Sequence, residues 1–315
     1  MKFSVTIPIY KATFLRECIE SVLSQTYKDF EVVIVNDASP EDLTSIVKSF
    51  DDSRIKYYVN EKNCGAINVV DNWNKCLSYA TGDYIICMGD DDKLLPGCLE
   101  EYVKLIETYP GLGVYHAWTE LIDENSCVIN MQEARPLYER VYSMMWERWK
   151  SRIQYIGDFL FDRKLLINNG GFYKLPLAWA SDDLSAYIAA QKNGIANMQV
   201  PGFQYRVNSK TITNTSNAEI KLEAINMEEQ WYRGFLAKEP KENDVIEKIF
   251  WLMCKKKLNK MMTKKRIYTI SEDLANKGLD HIFKYVWQRK HNHLNLKMLS
   301  YAFIEAVKRR MTKKI

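Results

Sequence analysis

Phe30-Glu31-Val32-Val33-Ile34-Val35-Asn36-Asp37-Ala38-Ser39-Pro40-Glu41-Asp42 passes from an apolar run through a polar turn to the start of a helix. The β-branched run Val32 to Val35 suits a strand buried on both faces. Ser39 suits a helix N-cap, Pro40 the first helical position, and Asp42 the positive end of the helix. The same alternation fills the first 115 residues. Residues 3–9 read as a strand, and Leu15, Ile19, Val22 and Leu23 then recur at helical spacing. Residues 54–59 read as a strand, and residues 66–80 as a helix closed by Gly82 as a left-handed cap. Residues 83–88 read as a strand, and Pro96 opens a helix that ends before Pro110-Gly111. Strand and helix in alternation predict a parallel sheet covered by helices, with ligands held beyond the carboxyl ends of the strands. Pro8-Ile9-Tyr10, Asn36-Asp37 and Asp90-Asp91-Asp92 all fall just past strand ends, so one edge of the sheet gathers three polar segments.

Further along, residues 114–122 and 127–131 read as a hairpin around Asp123-Glu124-Asn125-Ser126. Residues 135–150 read as partly helical. Residues 161–169 read as a helix stopped by Gly170-Gly171, and residues 182–193 as one stopped by Gly194. From residue 217 the pattern is helical, with breaks expected near Pro240 and over residues 263–269. The expected division is an α/β domain over residues 1–215, in halves 1–115 and 116–215, followed by a basic helical region over residues 216–315.

The 315 residues are 47% hydrophobic and 27% charged, enough for one large domain with a smaller appendage. The seven cysteines are scattered and show no CxxC pair, which argues against both a disulfide framework and a zinc cluster and fits reduced thiols in the cytosol. The run 3–9 is too short for a signal peptide, and no apolar run approaches the length of about 20 residues that spans a bilayer. The net charge of +4 is unevenly spread: residues 241–315 carry 19 of the 44 Lys and Arg but 7 of the 40 Asp and Glu. The remainder is therefore net acidic, and the tail invites an anionic partner.

Asp90, Asp91 and Asp92 are three like charges at a strand end. They raise one another's pKa unless a cation lies among them. Oxygen-only ligands suit Mg²⁺ or Mn²⁺, which add substrate phosphates to a few carboxylates.

Several segments resemble a family 2 glycosyltransferase of the GT-A fold. They are Val5-Thr6-Ile7-Pro8-Ile9-Tyr10, residues 15–27 (LRECIESVLSQTY), residues 30–39 (FEVVIVNDAS), Asn72-Trp73-Asn74-Lys75, residues 80–84 (ATGDY) and residues 88–96 (MGDDDKLLP). Residues 161–172, 180–183 and 205–213 resemble the acceptor half. The resemblance implies a Rossmann-like, mixed but mainly parallel sheet flanked by helices. It implies transfer of a sugar, with inversion, from a nucleotide-sugar to an acceptor hydroxyl. In its terms Asp37, Pro8 and Tyr10 attend the nucleotide base, and Asn74, Lys75 and Arg206 lie near the diphosphate. Asp91 is the first metal ligand. Asp90 serves ribose or metal, and Asp92 completes the group. Asp183 is the general base beside Asp182, while Gly171, Phe172 and Trp179 border the acceptor. The chain departs from the family at Gly89, where many relatives have an acid. It departs also at Trp73, where a basic residue is common, and at Asn208, where a His is common. The chemistry stands independently. A cation stabilises the charge that develops on a diphosphate leaving group, and a carboxylate activates the weakly nucleophilic hydroxyl.

In the tail, Phe250-Trp251-Leu252-Met253 precedes Lys255-Lys256-Lys257. Leu296, Leu299, Phe303, Ile304 and Val307 run at helical spacing into Lys308-Arg309-Arg310 and Lys313-Lys314. Basic amphipathic helices of this kind lie on anionic membranes. The expectation is a cytoplasmic enzyme, peripheral at the inner face of the membrane, whose acceptor is a glycan or a lipid-linked sugar. No groove-reading motif accompanies the basic residues, which disfavours nucleic acid. No glycine-rich turn follows the first strand, which disfavours a dinucleotide dehydrogenase. A UDP-sugar is the expected donor. The alternatives are a nucleotidyltransferase-like enzyme, which needs no Asp183, and a non-catalytic sugar-nucleotide-binding protein.

Overall fold

The computed structural model describes residues 1–208, 217–240 and 244–312. The chain forms two compact units, bounded as Met1–Lys174 with Ala180–Thr211 and Leu175–Trp179 with Ile212–Ile315. The expected boundary at 215/216, the end of the 205–213 motif and Lys313-Lys314 lie outside the described residues.

The first unit is a mixed sheet clothed by helices. Its elements begin with β1 (Phe3–Ile9), α1 (Leu15–Leu23), β2 (Phe30–Asn36), α2 (Leu43–Lys48), β3 (Ile55–Val59), α3 (Val69–Tyr79) and β4 (Tyr84–Cys87). There follow β5 (Lys93–Leu94), α4 (Cys98–Thr108), β6 (Val114–Ile122), β7 (Val128–Met131), β8 (Tyr138–Glu139) and α5 (Val141–Lys150). The unit ends with β9 (Phe159–Asp162), α6 (Arg163–Asn168), α7 (Ser181–Ala190) and β10 (Ile195–Arg206). Strand order is β3-β2-β1-β4-β9-β6-β10-β5, with β7 on β6 and β8 on β10. β1 to β4 pair parallel, as expected, so the ends of β1, β2 and β4 share one edge. β9 then runs antiparallel between β4 and β6. β1 and β2 are apolar on both faces because both are covered. α1 buries Leu15, Cys18, Ile19 and Val22 on one side, and Cys76 of α3 meets Val33 and Val35 on the other.

Four expectations change in this unit. First, α2 begins at Leu43 with Asp42 as its cap, the Asp42 carboxylate accepting the Ser45 N–H at 3.1 Å. Ser39 instead donates its hydroxyl to the Tyr10 carbonyl at 2.7 Å, and so ties two strand ends together. Second, Gly82 is not a left-handed cap. It permits close packing, because a Cβ there would lie 2.7 Å from the Ser4 nitrogen and 2.8 Å from the Lys2 carbonyl oxygen. Third, residues 159–162 form a strand before the helix. Four residues are too few to show a period beside an apolar helical run. Fourth, β10 has no counterpart among the expected elements; it runs through Pro201 with a register shift on either side of it.

The second unit contains α8 (Ala218–Phe235), α9 (Val245–Lys277), α10 (Ile282–Trp287) and α11 (Leu296–Thr312), with a 3-10 turn at Pro176–Ala178. α9 runs 33 residues with no break at 263–269. The threonines there weaken a helix by well under about 1 kcal/mol each. Burial of Met261, Met262, Thr269 and Ile270, and the paired Arg266 and Glu229 (2.6 Å), outweighs that. All seven cysteines are free thiols.

Gly82→Ala is expected to lower unfolding stability by about 2 kcal/mol or more, since backbone must move to admit the methyl group. Gly97→Ala meets no atom within 4 Å and is expected to stay within about 0.5 kcal/mol of the parent. Urea denaturation of the pair reads the difference.

Candidate functional site

The site begins with the backbone at the parallel edge. The Asp37 N–H donates to the Ile9 carbonyl at 3.0 Å, and the N–H groups of Tyr10 and Lys11 donate to Asp90 Oδ2 at 2.7 and 2.8 Å. The ends of β2, β1 and β4 are thereby stitched in sequence. Asp37 is buried and accepts from Asn60 Nδ2 (2.8 Å) and the Cys64 N–H (2.9 Å). Lys75 Nζ donates to Asn60 Oδ1 at 2.9 Å. Lys75 thus reaches Asp37 through Asn60. Pro8 is half-buried within β1, and Tyr10 is 42% exposed beside Asp37.

The three aspartates turn to different donors. Asp90 takes the loop N–H groups, Asp91 Oδ2 accepts Asn208 Nδ2 at 2.6 Å, and Asp92 Oδ1 accepts the Arg206 N–H at 3.0 Å. These donors are neutral, so they do not offset the lost hydration of three carboxylates. Burial, and then the Asp91 charge, push Asp90 up to about 6 and Asp92 well above the usual carboxylate range. Burial raises Asp91 as well. Gly89 makes room: a Cβ there would lie 2.9 Å from Asp91 Oδ1 and 3.0 Å from Asp92 Oδ2. A side chain at position 89 would therefore oblige the Asp91 and Asp92 carboxylates to shift.

For a divalent cation, the donor chemistry fits in one respect only. Hard oxygens crowd together, yet among the described residues no three His, Cys, Asp or Glu side chains converge closely enough to cage an ion. The set suits an ion held by one or two carboxylates and completed by diphosphate and water.

Arg206 takes a place other than the one expected of it. It is fully buried, and its guanidinium donates to the Asp91 carbonyl (2.8 Å), the Asp123 carbonyl (2.9 Å), Glu17 (3.2 Å) and Ser126 (3.1 Å) above the Phe14 ring. It clasps the triplet's backbone to the hairpin and to α1. Asn74 is likewise committed. Its Oδ1 accepts the Phe172 N–H at 2.8 Å, and its Nδ2 donates to the Phe172 carbonyl at 3.2 Å. Gly171 has a φ of +87°, and a Cβ there would strike Asn74 Oδ1 at 2.4 Å, so glycine is required. Phe172 is core, edge-on to Trp73 and Phe161. Asn74, Gly171 and Phe172 therefore form a latch between α3 and the turn after α6. Trp179 belongs to the second unit, where Lys221 Nζ stands 5.0 Å from its ring centre.

The second pair of acids opens α7, where the helix dipole favours negative charge. Asp183 is 2% exposed. Arg148 Nε grips both its oxygens (2.9 and 3.1 Å), and Gln154 Nε2 adds a third bond at 2.7 Å. Asp182 is half-buried, and its Oδ1 accepts the Asp183 N–H at 2.8 Å. Among the described residues its Oδ2 has no hydrogen-bond donor. Burial and the neighbouring Asp183 charge push Asp182 up to about 7.

Two tyrosines relate the acid groups. The rings of Tyr155 and Tyr205 stack at 3.6 Å and 8°. Burial raises both hydroxyls, and both feel the charges of Asp92 and Asp182. Tyr155 was missed in the sequence because it lies in an irregular segment. Behind Asp183 a buried polar layer holds His116, Gln132, Arg135, Glu139, Arg152 and Asp158. Arg152 pairs with Glu139 at 2.8 Å, and Asp158 Oδ2 accepts the Tyr155 N–H at 3.0 Å. Burial, and then Arg135, push His116 down to about 4.

The sequence model described as Glycosyl transferase family 2 matches residues 4–170, just over half of the chain. A GalNAc(5)-diNAcBac-PP-undecaprenol beta-1,3-glucosyltransferase of Campylobacter jejuni is 36% identical over 106 residues, covering 33% of this chain and 34% of that protein. The putative glycosyltransferase EpsE of Bacillus subtilis is 38% identical over 127 residues, covering 39% of this chain and 45% of that protein. The chain thus spans less than half the length of these relatives. Among solved structures, S. aureus TarS 1-349 in complex with UDP-GlcNAc superposes with a TM-score of 0.59 at 15% identity, covering 100% of this chain and 92% of that one. A mannosyltransferase from Pyrobaculum calidifontis in complex with GDP-Man and Mn2+ gives 0.53 at 16% identity, covering 99% and 88%. Both likenesses show the GT-A fold.

His116 yields a stability prediction. Its folded pKa lies below the ordinary value of 6.5, so the unfolded chain takes up the proton first. The contribution to stability is complete above pH 6.5 and is lost as pH falls towards about 4, to a total of about 3 kcal/mol. His116→Gln is expected to flatten that part of the curve of unfolding free energy against pH, measured by urea denaturation.

Proposed function

The chain belongs to glycosyl transferase family 2, and from that premise we propose that it transfers a sugar, with inversion, from a nucleotide-sugar to an acceptor hydroxyl. The observation that carries this reading is the pair of acid groups, in different protonation environments, flanking the stacked Tyr155 and Tyr205. One group handles a diphosphate and the other a hydroxyl proton.

The donor lies along the parallel edge. Tyr10 and Asp37 receive the base, with Lys75 held behind Asp37 by Asn60. Asp90, already fixed by two loop N–H groups, takes the ribose side. Asp91 and Asp92 hold a divalent cation, Mn²⁺ or Mg²⁺, together with the diphosphate; when bound, that ion supplies charge stabilisation to the leaving group. The S. aureus neighbour bound to UDP-GlcNAc supports a UDP-sugar donor, and the Pyrobaculum neighbour, carrying Mn2+, supports the cation. The Campylobacter relative, named for an undecaprenol diphosphate acceptor, supports a lipid-linked acceptor in surface polysaccharide or glycolipid assembly. No helix among the described residues is long and apolar enough to cross a membrane, and we propose that the basic helical unit holds the enzyme peripherally at an anionic membrane surface.

The resemblance implies Asp183 as the base, but its three hydrogen bonds fit a positioning role better. Asp182, raised to about 7 with one oxygen unengaged, suits proton abstraction near neutral pH. Asp183 raises it, and Arg148 limits the rise. Tyr155 and Tyr205 give the sugar a surface between the acids.

The decisive variant is Asp182→Asn. Sugar transfer, followed by nucleotide release, is expected to fall at least about a hundredfold while donor affinity stays within about twofold. Unchanged turnover contradicts the assignment, and a wild type with no turnover on any nucleotide-sugar favours a binding protein. For the parent, log kcat/KM is expected to decline with unit slope below about pH 7, because only ionised Asp182 accepts the proton. Arg148→Gln removes the charge that lowers the Asp182 pKa and is expected to move this limb up by at least about one unit. An unmoved limb assigns the titration elsewhere.

A further inference from the structure

We propose that α10 and the turn after it form a wedge that docks the second unit onto an anionic lipid bilayer, with Phe283 and Trp287 entering the headgroup region. Tyr285 anchors one face of the helix. Tyr285 is fully buried, and its hydroxyl donates to Asp273 Oδ2 of α9 at 2.6 Å. Residues two places before and after a buried helical position lie on the opposite face, and residues four apart share a face. Phe283 and Trp287 meet both conditions and are 75% and 91% exposed. Leu296, at the start of α11, is 64% exposed.

The electrostatics match the same surface. From His281 to Ile304 the chain carries Lys284, Arg289, Lys290 and Lys297 and no Asp or Glu. Lys284 is tied to Glu219 at 2.9 Å. Arg289 and Lys290, two and three residues after Trp287, are exposed and join no ion pair among the described residues. Aromatic side chains flanked by cations, the nearest acids being Glu219, already paired with Lys284, and Asp280 three residues before Phe283, suit the boundary between anionic headgroups and acyl chains. A second protein copy fits less well. Two aromatic side chains on a six-residue helix fall well short of the roughly 800 Å² per partner of a stable protein interface. The wedge also differs from the segments singled out in the sequence. Trp251 is buried in the helical unit, where Lys255 stands over its ring, and α11 turns Leu299, Ala302 and Ala306 inwards.

This inference extends the reading of a lipid-linked acceptor, but vesicle binding is measured without turnover, so either can fail alone. The test is flotation of the full chain with vesicles of phosphatidylcholine alone and of phosphatidylcholine with phosphatidylglycerol, at low and high salt. The chain is expected to float with the anionic vesicles at low salt and to remain behind with the neutral ones. Joint replacement Phe283→Ala and Trp287→Ala is expected to weaken flotation about tenfold or more, and Arg289→Gln with Lys290→Gln by a similar factor. Transfer to a soluble acceptor should be unchanged in both variants, which shows that they fold. Trp287→Phe should abolish a vesicle-induced blue shift of the fluorescence. Absence of flotation in the parent, or flotation of the aromatic double variant equal to the parent's, overturns the proposal. So does concentration-dependent dimerisation of the parent that the double variant loses without any vesicle binding.

Discussion

Three adjacent carboxylates at a strand end, partly or fully buried and given neutral hydrogen-bond donors, are the constraint around which the first unit is arranged. In isolation the arrangement is unfavourable, since burial and mutual repulsion both oppose ionisation of Asp90, Asp91 and Asp92. The fold nevertheless fixes each of them separately. Asp90 is bound to the loop after β1, Asp91 to Asn208, and Asp92 to the end of β10. Arg206 spends its guanidinium hydrogen bonds on holding this backbone together, and its charge only partly offsets the burial of Asp91. Lys11 and Arg206 lower these carboxylates by less than burial raises them, which leaves the site room for a cation and a diphosphate.

The second acidic group solves the opposite problem. Here the protein supplies a cation of its own, Arg148, and directs it to one member of the pair. Arg148 and Gln154 hold Asp183 in place, and its neighbour Asp182 is left with a pKa near neutrality. Two adjacent carboxylates with different partners thereby acquire different chemistry, as paired acids do wherever their surroundings separate them. A buried polar layer of His116, Arg135, Arg152, Glu139 and Asp158 lies behind this group.

The parts of this account that were legible in the sequence are those with a local signature. The apolar runs of β1, β2 and β4, the polar segments at their ends, the hairpin around residues 123–126 and the buried stripe of α1 all follow from periodicity and turn chemistry. What stayed hidden depends on pairs distant in sequence. Arg148 and Asp183 are 35 residues apart, Asn74 and Phe172 98, and Asp91 and Asn208 117. No local pattern reveals that Asn74 is committed to a turn or that Gly171 exists to admit it. β9 was too short to show a period, and β10 hid behind Pro201-Gly202. The uninterrupted α9 shows tertiary packing overriding weak local propensity.

The most direct measurement is calorimetric titration of UDP into the protein with and without Mn²⁺, repeated on Asp91→Asn. The account predicts tight binding by the parent only when the ion is present, with the variant losing the ion-dependent part. Equal binding of UDP in the presence of chelator, or an Asp91→Asn variant that responds to Mn²⁺ as the parent does, would contradict it.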